Sequence, residues 1–118
     1  MIGSFNTGYG EVTIDNEVLA KVTGVTAVEC YGIVGMAMVN MTSGIAKLLR
    51  GDNITKGISL TVEDNVMNIE LHIIIEYGVN IKAVTDNLLS TVAYKLETFS
   101  GLTVGHIDVY VEDVRVDE

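Results

Sequence analysis

The sequence predicts an α+β domain, a small and mainly antiparallel sheet with helices on one face, and three observations predict it. In residues 66–77 (VMNIELHIIIEY), Met67, Ile69, Leu71, Ile73 and Ile75 sit two apart, so an extended chain points them to one side. Asn68, Glu70, His72 and Glu76 point to the other side, with Ile74 as the one apolar exception. In residues 81–99, Ile81, Val84, Leu88, Val92, Leu96 and Phe99 recur at three- and four-residue steps, the period of an amphipathic helix. Residues 57–63 (GISLTVE) alternate cleanly, and Asp64-Asn65 joins them to the central strand as a two-residue hairpin turn.

Taken in order, residues 1–7 form a loose start and residues 9–14 (YGEVTI) a short strand. Asp15 then offers its carboxylate to the free N–H groups of a helix running from Asn16 to about Cys30. Leu19, Val22, Val25 or Thr26, and Cys30 supply its buried side, and Gly24 reads as a packing glycine rather than a hinge. Gly32-Ile33-Val34-Gly35 ends the helix, two glycines allowing positive φ at both ends of a tight structural turn. Residues 36–56 are a variable segment in which residues 43–50 suit a short helix with Ile45, Leu48 and Leu49 on its apolar side. Met36, Met38 and Met41 come close together there, able either to fill an irregular core gap or to form an adaptable partner surface. Asn80 caps the long helix, Ser100-Gly101 stops it, and residues 104–114 (VGHIDVYVEDV) make the last strand with Ile107, Val109 and Val111 inward. The predicted order is β-α-(α)-β-β-α-β, a single domain over residues 1–118.

Burying five or six side chains of the long helix on the hairpin is worth on the order of 10 kcal/mol before conformational entropy is charged. The far face of the sheet then carries Glu63, Glu70, His72, Glu76, His106, Asp108, Tyr110 and Glu112, acidic and wet, with Ile74 and Tyr110 among them.

Composition narrows the function classes. Sixteen acidic against seven basic residues give a net charge of -9, and the bases are scattered along the chain. Neutralising phosphates needs clustered Lys and Arg, so DNA, RNA and anionic lipid are poor partners. The single Cys30 has no internal disulfide partner, no apolar run approaches the roughly 20 residues that span a bilayer, and the first residues lack a secretion signal. A cytoplasmic location without direct membrane insertion follows as the expectation. No nucleophile elbow, phosphate-binding loop or dinucleotide fingerprint occurs, so the sequence predicts no catalytic residue, cofactor or metal site. Glu70, His72, His106 and Asp108 could meet around a divalent ion if their strands were neighbours in register, yet that spacing is common on any polar strand face. Gly32 to Gly35 also has the G-x-x-G form of a KH-type loop for single-stranded RNA, although Ile and Val replace the basic residues such a loop would use.

Three stretches carry a family resemblance: GEVTIDNEVLAKVTG, the Gly32-Ile33-Val34-Gly35-Met36 turn, and GVNIKAVTDNLLSTVAYKLETFSGLTVGHIDVYVEDV with its Ser100-Gly101-Leu102 helix stop. Together they resemble the alkaline shock protein family of Gram-positive bacteria. The resemblance implies a non-enzymatic protein of envelope stress or envelope homeostasis that works through protein contacts. The expected partners are further copies of the chain, a membrane-associated protein or an enzyme, with Met36, Met38, Met41, Ile74 and Tyr110 as the candidate interaction surface.

Overall fold

The computed structural model describes residues 3–39, 46–49 and 51–116. Along the chain run β1 (Gly3–Thr7), β2 (Gly10–Ile14), α1 (Asn16–Val28), β3 (Ile33–Val39) and β4 (Ala46–Leu48). A 3-10 helix (Gly51–Gly57), β5 (Ile58–Glu63), β6 (Val66–Glu76), α2 (Ile81–Ser100) and β7 (Thr103–Arg115) complete it.

The five-stranded sheet is assembled on β6. On one side β5 pairs antiparallel with its first half (Ile58 opposite Leu71 through Glu63 opposite Val66), and β3 pairs antiparallel with its end (Met36 opposite Ile73). On the other side β7 pairs with β6 along its whole length, and this pair is parallel. β4 extends the sheet beyond β3. The β5–β6 turn has φ of +51° at Asp64 and +62° at Asn65, the left-handed values that a type I′ turn requires at both central positions. Asn and Asp tolerate that region better than other side chains do, which is why this dipeptide fixes the register of the longest strand.

Met67, Ile69, Leu71, Ile73 and Ile75 form the inner face of β6 and are all buried. α2 covers them with Val84, Leu88, Val92 and Leu96, each essentially inaccessible to solvent. Asn80 caps α2 by accepting from the Ala83 N–H at 2.9 Å, and Asp15 caps α1 by accepting from Glu17 at 2.9 Å. Gly101, at φ +77°, closes α2 in a left-handed cap whose N–H donates to the Glu97 carbonyl. α1 packs against α2, β3, β5 and the 3-10 helix, and buries Leu19, Thr23, Thr26 and Ala27. A Cβ on Gly24 would lie 3.0 Å from Ile54 Cδ1, so that glycine does serve packing, against side chains. A Cβ on Gly57 would lie 2.7 Å from the Ala37 carbonyl oxygen, because the 3-10 helix closes directly on β3.

Several expectations are corrected. Residues 3–7 are a strand, paired with β2 as an arm whose side chains are exposed beyond Ser4 except for a half-buried Ile14. Met36 to Val39 complete β3, and Ala46–Leu48 is a strand where a short helix was expected, because pairing Leu48 with Ala37 satisfies backbone groups that an isolated turn of helix would leave free. Met41, residues 43–45 and Arg50 lie outside the described residues. α1 stops at Val28, and its buried side uses Thr26 rather than Val25. Gly35 sits in β3 at a register irregularity and only Gly32, at φ +82°, takes the left-handed turn. Ile81 and Phe99, at the two ends of the α2 stripe, are exposed, Phe99 lining a recess with Val22 and Val25 of α1 instead of joining the core.

Removing a fully buried apolar side chain leaves both lost transfer energy and a cavity. Leu88→Ala is therefore expected to lower the unfolding free energy by about 2–5 kcal/mol in urea titration, whereas Ile81→Ala, half exposed at the helix start, should change it by about 0.5 kcal/mol or less.

Candidate functional site

The polar face of the sheet is ordered by the parallel register of β6 and β7, which places Asn68 beside His106, Glu70 beside Asp108, and His72 beside Tyr110. The His72 ring stacks on Tyr110 with centroids 4.9 Å apart and planes 12° from parallel. Its Nδ1 meets the Glu112 carboxylate, and its Nε2 lies 3.7 Å from Glu70. Glu112 reaches His72 because the register shifts between Ile73 and Ile74, so that Ile74 aligns with Asp113 and Glu112 is left over. Hydrogen bonding toward Glu70, followed by the charge of Glu70, pushes the Tyr110 phenol above its ordinary range; burial and the charges of Asp108 and Glu112 push the same way.

His106 makes a separate pair with Asp108 at 2.9 Å, beside a shallow recess that Ser59, Thr61 and Glu70 also line. The strands carrying Glu70, His72, His106 and Asp108 are thus neighbours in register, yet the four groups divide into two local pairings. Among the described residues no group of three or more His, Cys, Asp or Glu side chains is arranged to hold a metal ion. The face gathers Glu63, Glu70, Asp108 and Glu112 and presents a negative potential to solvent.

Of the expected interaction surface, Met36 and Ile74 are fully buried and cannot meet a partner. Met36 enters the core opposite Ile73. Ile74 aligns with Gly35, and Leu48 lies over that glycine so closely that a Cβ there would be 2.7 Å from its Cδ1. Met38 and Tyr110 remain exposed at 41% and 45%, and Met41 lies outside the described residues. Cys30 is buried, its thiol donating to the Thr26 carbonyl at 3.4 Å. Burial pushes that thiol up, a hydrogen bond with Thr91 opposes this in part, and Glu29 adds to the rise, which disfavours the thiolate. The Gly32 to Gly35 segment runs from a turn into β3, so it does not form a loop between two helices as a KH module requires.

Two further surfaces stand out, the first not foreseen in the sequence and the second the open edge that a small sheet was expected to leave. One is the β1–β2 arm, where Phe5 is 40% and Tyr9 fully exposed; the alternation of Ser4 and Asn6 around Phe5 was its faint signal. The other is the outer edge of β7, which among the described residues pairs only with β6. The long principal axis of the molecule, 55 Å against 31 and 22 Å, fits an elongated body rather than a sphere. Among the described residues no helix is long and apolar enough to cross a membrane.

A family model described by alkaline shock protein 23 and a cell envelope-related function matches residues 4–116. The uncharacterized protein YloU of Bacillus subtilis is 40% identical over 111 residues, covering 93% of this chain and 92% of its own. The uncharacterized protein Spy1614 of Streptococcus pyogenes is 32% identical over 117 residues, covering 98% and 97%. A protein named stress response regulator gls24 homolog, from the same species, is 23% identical over 109 residues, covering 92% of this chain and 61% of its own length. No solved structure matches the chain.

The Tyr110–Glu70 bond has a pH signature. A phenol whose folded value is raised contributes stability that is complete below its ordinary value of about 10 and is lost as pH rises through the folded value. Glu70→Gln should lower the Tyr110 titration midpoint, followed by phenolate absorbance with Tyr110→Phe as the reference, and an unchanged midpoint would show that Glu70 is not the cause.

Proposed function

This chain belongs to the alkaline shock protein 23 family, described by a cell envelope-related function, and from that premise we propose that it is a non-enzymatic contact module of envelope homeostasis and envelope stress. It works in the cytoplasm by joining copies of itself to one another and to a membrane-associated or enzyme partner. The observation that carries this reading is the outer edge of β7, unpaired among the described residues. A strand edge left open presents a row of N–H and C=O groups ready to pair with another chain. Between its two register shifts β7 runs regularly from His106 to Val111, six residues, which is long enough to accept an added strand.

The arm supports the same reading. A two-stranded ribbon is marginal by itself in water, and this one touches its own body at few points, including Ser4 N–H to Asn65 Oδ1 at 3.2 Å. From Gly3 to Ile14 its only charged residue is Glu11. Two β7 edges brought together would oppose Asp108, Glu112 and Asp113 to their own kind, whereas the neutral β1 can approach that edge freely. Its alternation is also suitable, with Phe5 on one side against Ser4 and Asn6 on the other. An arm on one copy and an edge on the next make a heterologous contact that propagates head to tail.

Size exclusion with light scattering tests the self-association. Assembly should grow with concentration, and also with added salt, because screening relieves repulsion between bodies of charge -9. Phe5→Asp should return the protein to a monomer with its core intact by circular dichroism. A wild-type protein that stays monomeric at high concentration in both low and high salt sinks the self-association.

A further inference from the structure

We propose that the groove between α1 and α2 is a docking site for an acidic amphipathic helix of another protein. The groove has a volume of about 330 Å³ and is lined by Val22, Val25 and Phe99, with Lys21, Lys95 and Glu29 among the residues around it. It exists because α1 is apolar on two sides. Leu19, Thr23 and Thr26 turn inward, while Val18 and Val25, each 44% exposed, remain on the outside with the half-buried Val22 between them. Positions 18, 22 and 25 follow the i, i+4, i+7 spacing of a helix–helix seam, which the fold of a single chain leaves uncovered. Phe99, 55% exposed on α2, forms the opposite wall.

A helix laid in this groove would rest its apolar ridge on Val18, Val22, Val25 and Phe99, the helix-in-groove mode of recognition. Charge selects the chemistry of the flanks. Lys21 and Lys95 border the same groove, and among the described residues neither forms an ion pair, whereas Lys82 pairs with Asp86 at 2.8 Å. In a chain with sixteen acidic and seven basic residues, two ammonium groups beside an exposed apolar helix seam lower the repulsion that a carboxylate-bearing helix would otherwise meet. Glu29 lies two turns beyond Lys21 on α1, so the docked helix carries its acids toward Lys21 and Lys95 and spares the Glu29 end. A second copy would bring one body of charge -9 against another, and an anionic bilayer would be repelled in the same way, so neither occupant suits the groove as well. The groove belongs to the helical layer and the contact proposed for β7 to a sheet edge, so either surface can fail without the other.

The test is fluorescence anisotropy of the full chain with a synthetic helical peptide of about four turns, leucines at i, i+4 and i+7 and glutamates elsewhere, against a counterpart with lysines in place of the glutamates. The acidic peptide is expected to bind, more weakly as salt is raised. Both Val25→Asp and the Lys21→Glu/Lys95→Glu double substitution should weaken it about tenfold or more, about 1.4 kcal/mol, while binding of the basic counterpart does not fall. These side chains are exposed, so urea midpoints close to that of the wild type should confirm that the variants fold. Absence of acidic-peptide binding, or binding indifferent to both substitutions, overturns the proposal. So does a dimer in light scattering that Val25→Asp abolishes, which would assign the groove to a second copy. Co-sedimentation with phosphatidylglycerol vesicles that Val25→Asp abolishes would assign it to a membrane and overturn the proposal equally.

Discussion

One strand carries an unusual share of the fold. β6 hydrogen-bonds on both edges, to β7 on one and to β5 followed by β3 on the other, while α2 presses on its inner face. Because side chains alternate with period two, a slip of one residue anywhere in these pairings would turn Met67, Ile69, Leu71, Ile73 and Ile75 out to water. The type I′ turn at Asp64-Asn65 removes that freedom on the β5 side. On the β7 side the chain returns by way of α2, a crossover between parallel strands, and the length of that helix sets where β7 begins. Thr103 then donates to the Asn65 carbonyl at 3.1 Å, so the hairpin turn is also the anchor of the parallel strand.

That geometry divides charge between the layers. Outward positions of β6 and β7 take Glu70, Asp108 and Glu112, which two strands in parallel register bring side by side. Like charges at such spacing repel, and the structure places His72 between Glu70 and Glu112. The stacked His72–Tyr110 pair is therefore read most simply as the spacer that lets an acidic sheet face form. The helical layer carries Lys21 and Lys95 instead, near an apolar seam.

Much of this was legible in the chain. Period two in residues 66–77, period 3.6 after Asn80, the two N-caps and the Asp64-Asn65 turn each rest on local chemistry, and the structure has each of them. What was not legible depends on partners distant in sequence. That β7 runs parallel to β6 cannot be read from either strand, because alternation is the same in both orientations. Ile74 looks exposed by its position on the polar face, yet it is fully buried beside Gly35, over which Leu48 lies. Ala46, Lys47 and Leu48 are all good helix formers, and pairing with β3 decides against a helix. The seven basic residues look scattered in sequence, yet Lys21 and Lys95, 74 positions apart, border one groove once α1 and α2 pack. The interaction surface suffered most, since exposure is a property of the folded whole: a cluster of methionines said nothing about which of them the core would take.

The two proposed contacts would have to be kept apart on one small acidic domain, and the sign of charge and the type of backbone would do so. An open strand edge beside carboxylates admits neutral or basic extended segments and turns away acidic ones. A seam between two helices with free ammonium groups admits helices and favours acidic ones. Neither surface requires a moving part or a reactive group, and each is made by an element that the core already needs: β7 to complete the sheet, α1 to cover its end. Discrimination between partners then comes from repulsion as much as from attraction. In a chain of net charge -9 repulsion is the default toward most acidic surfaces, and the neutral arm and the lysine-bordered groove are places where the proposed contacts would meet less of it.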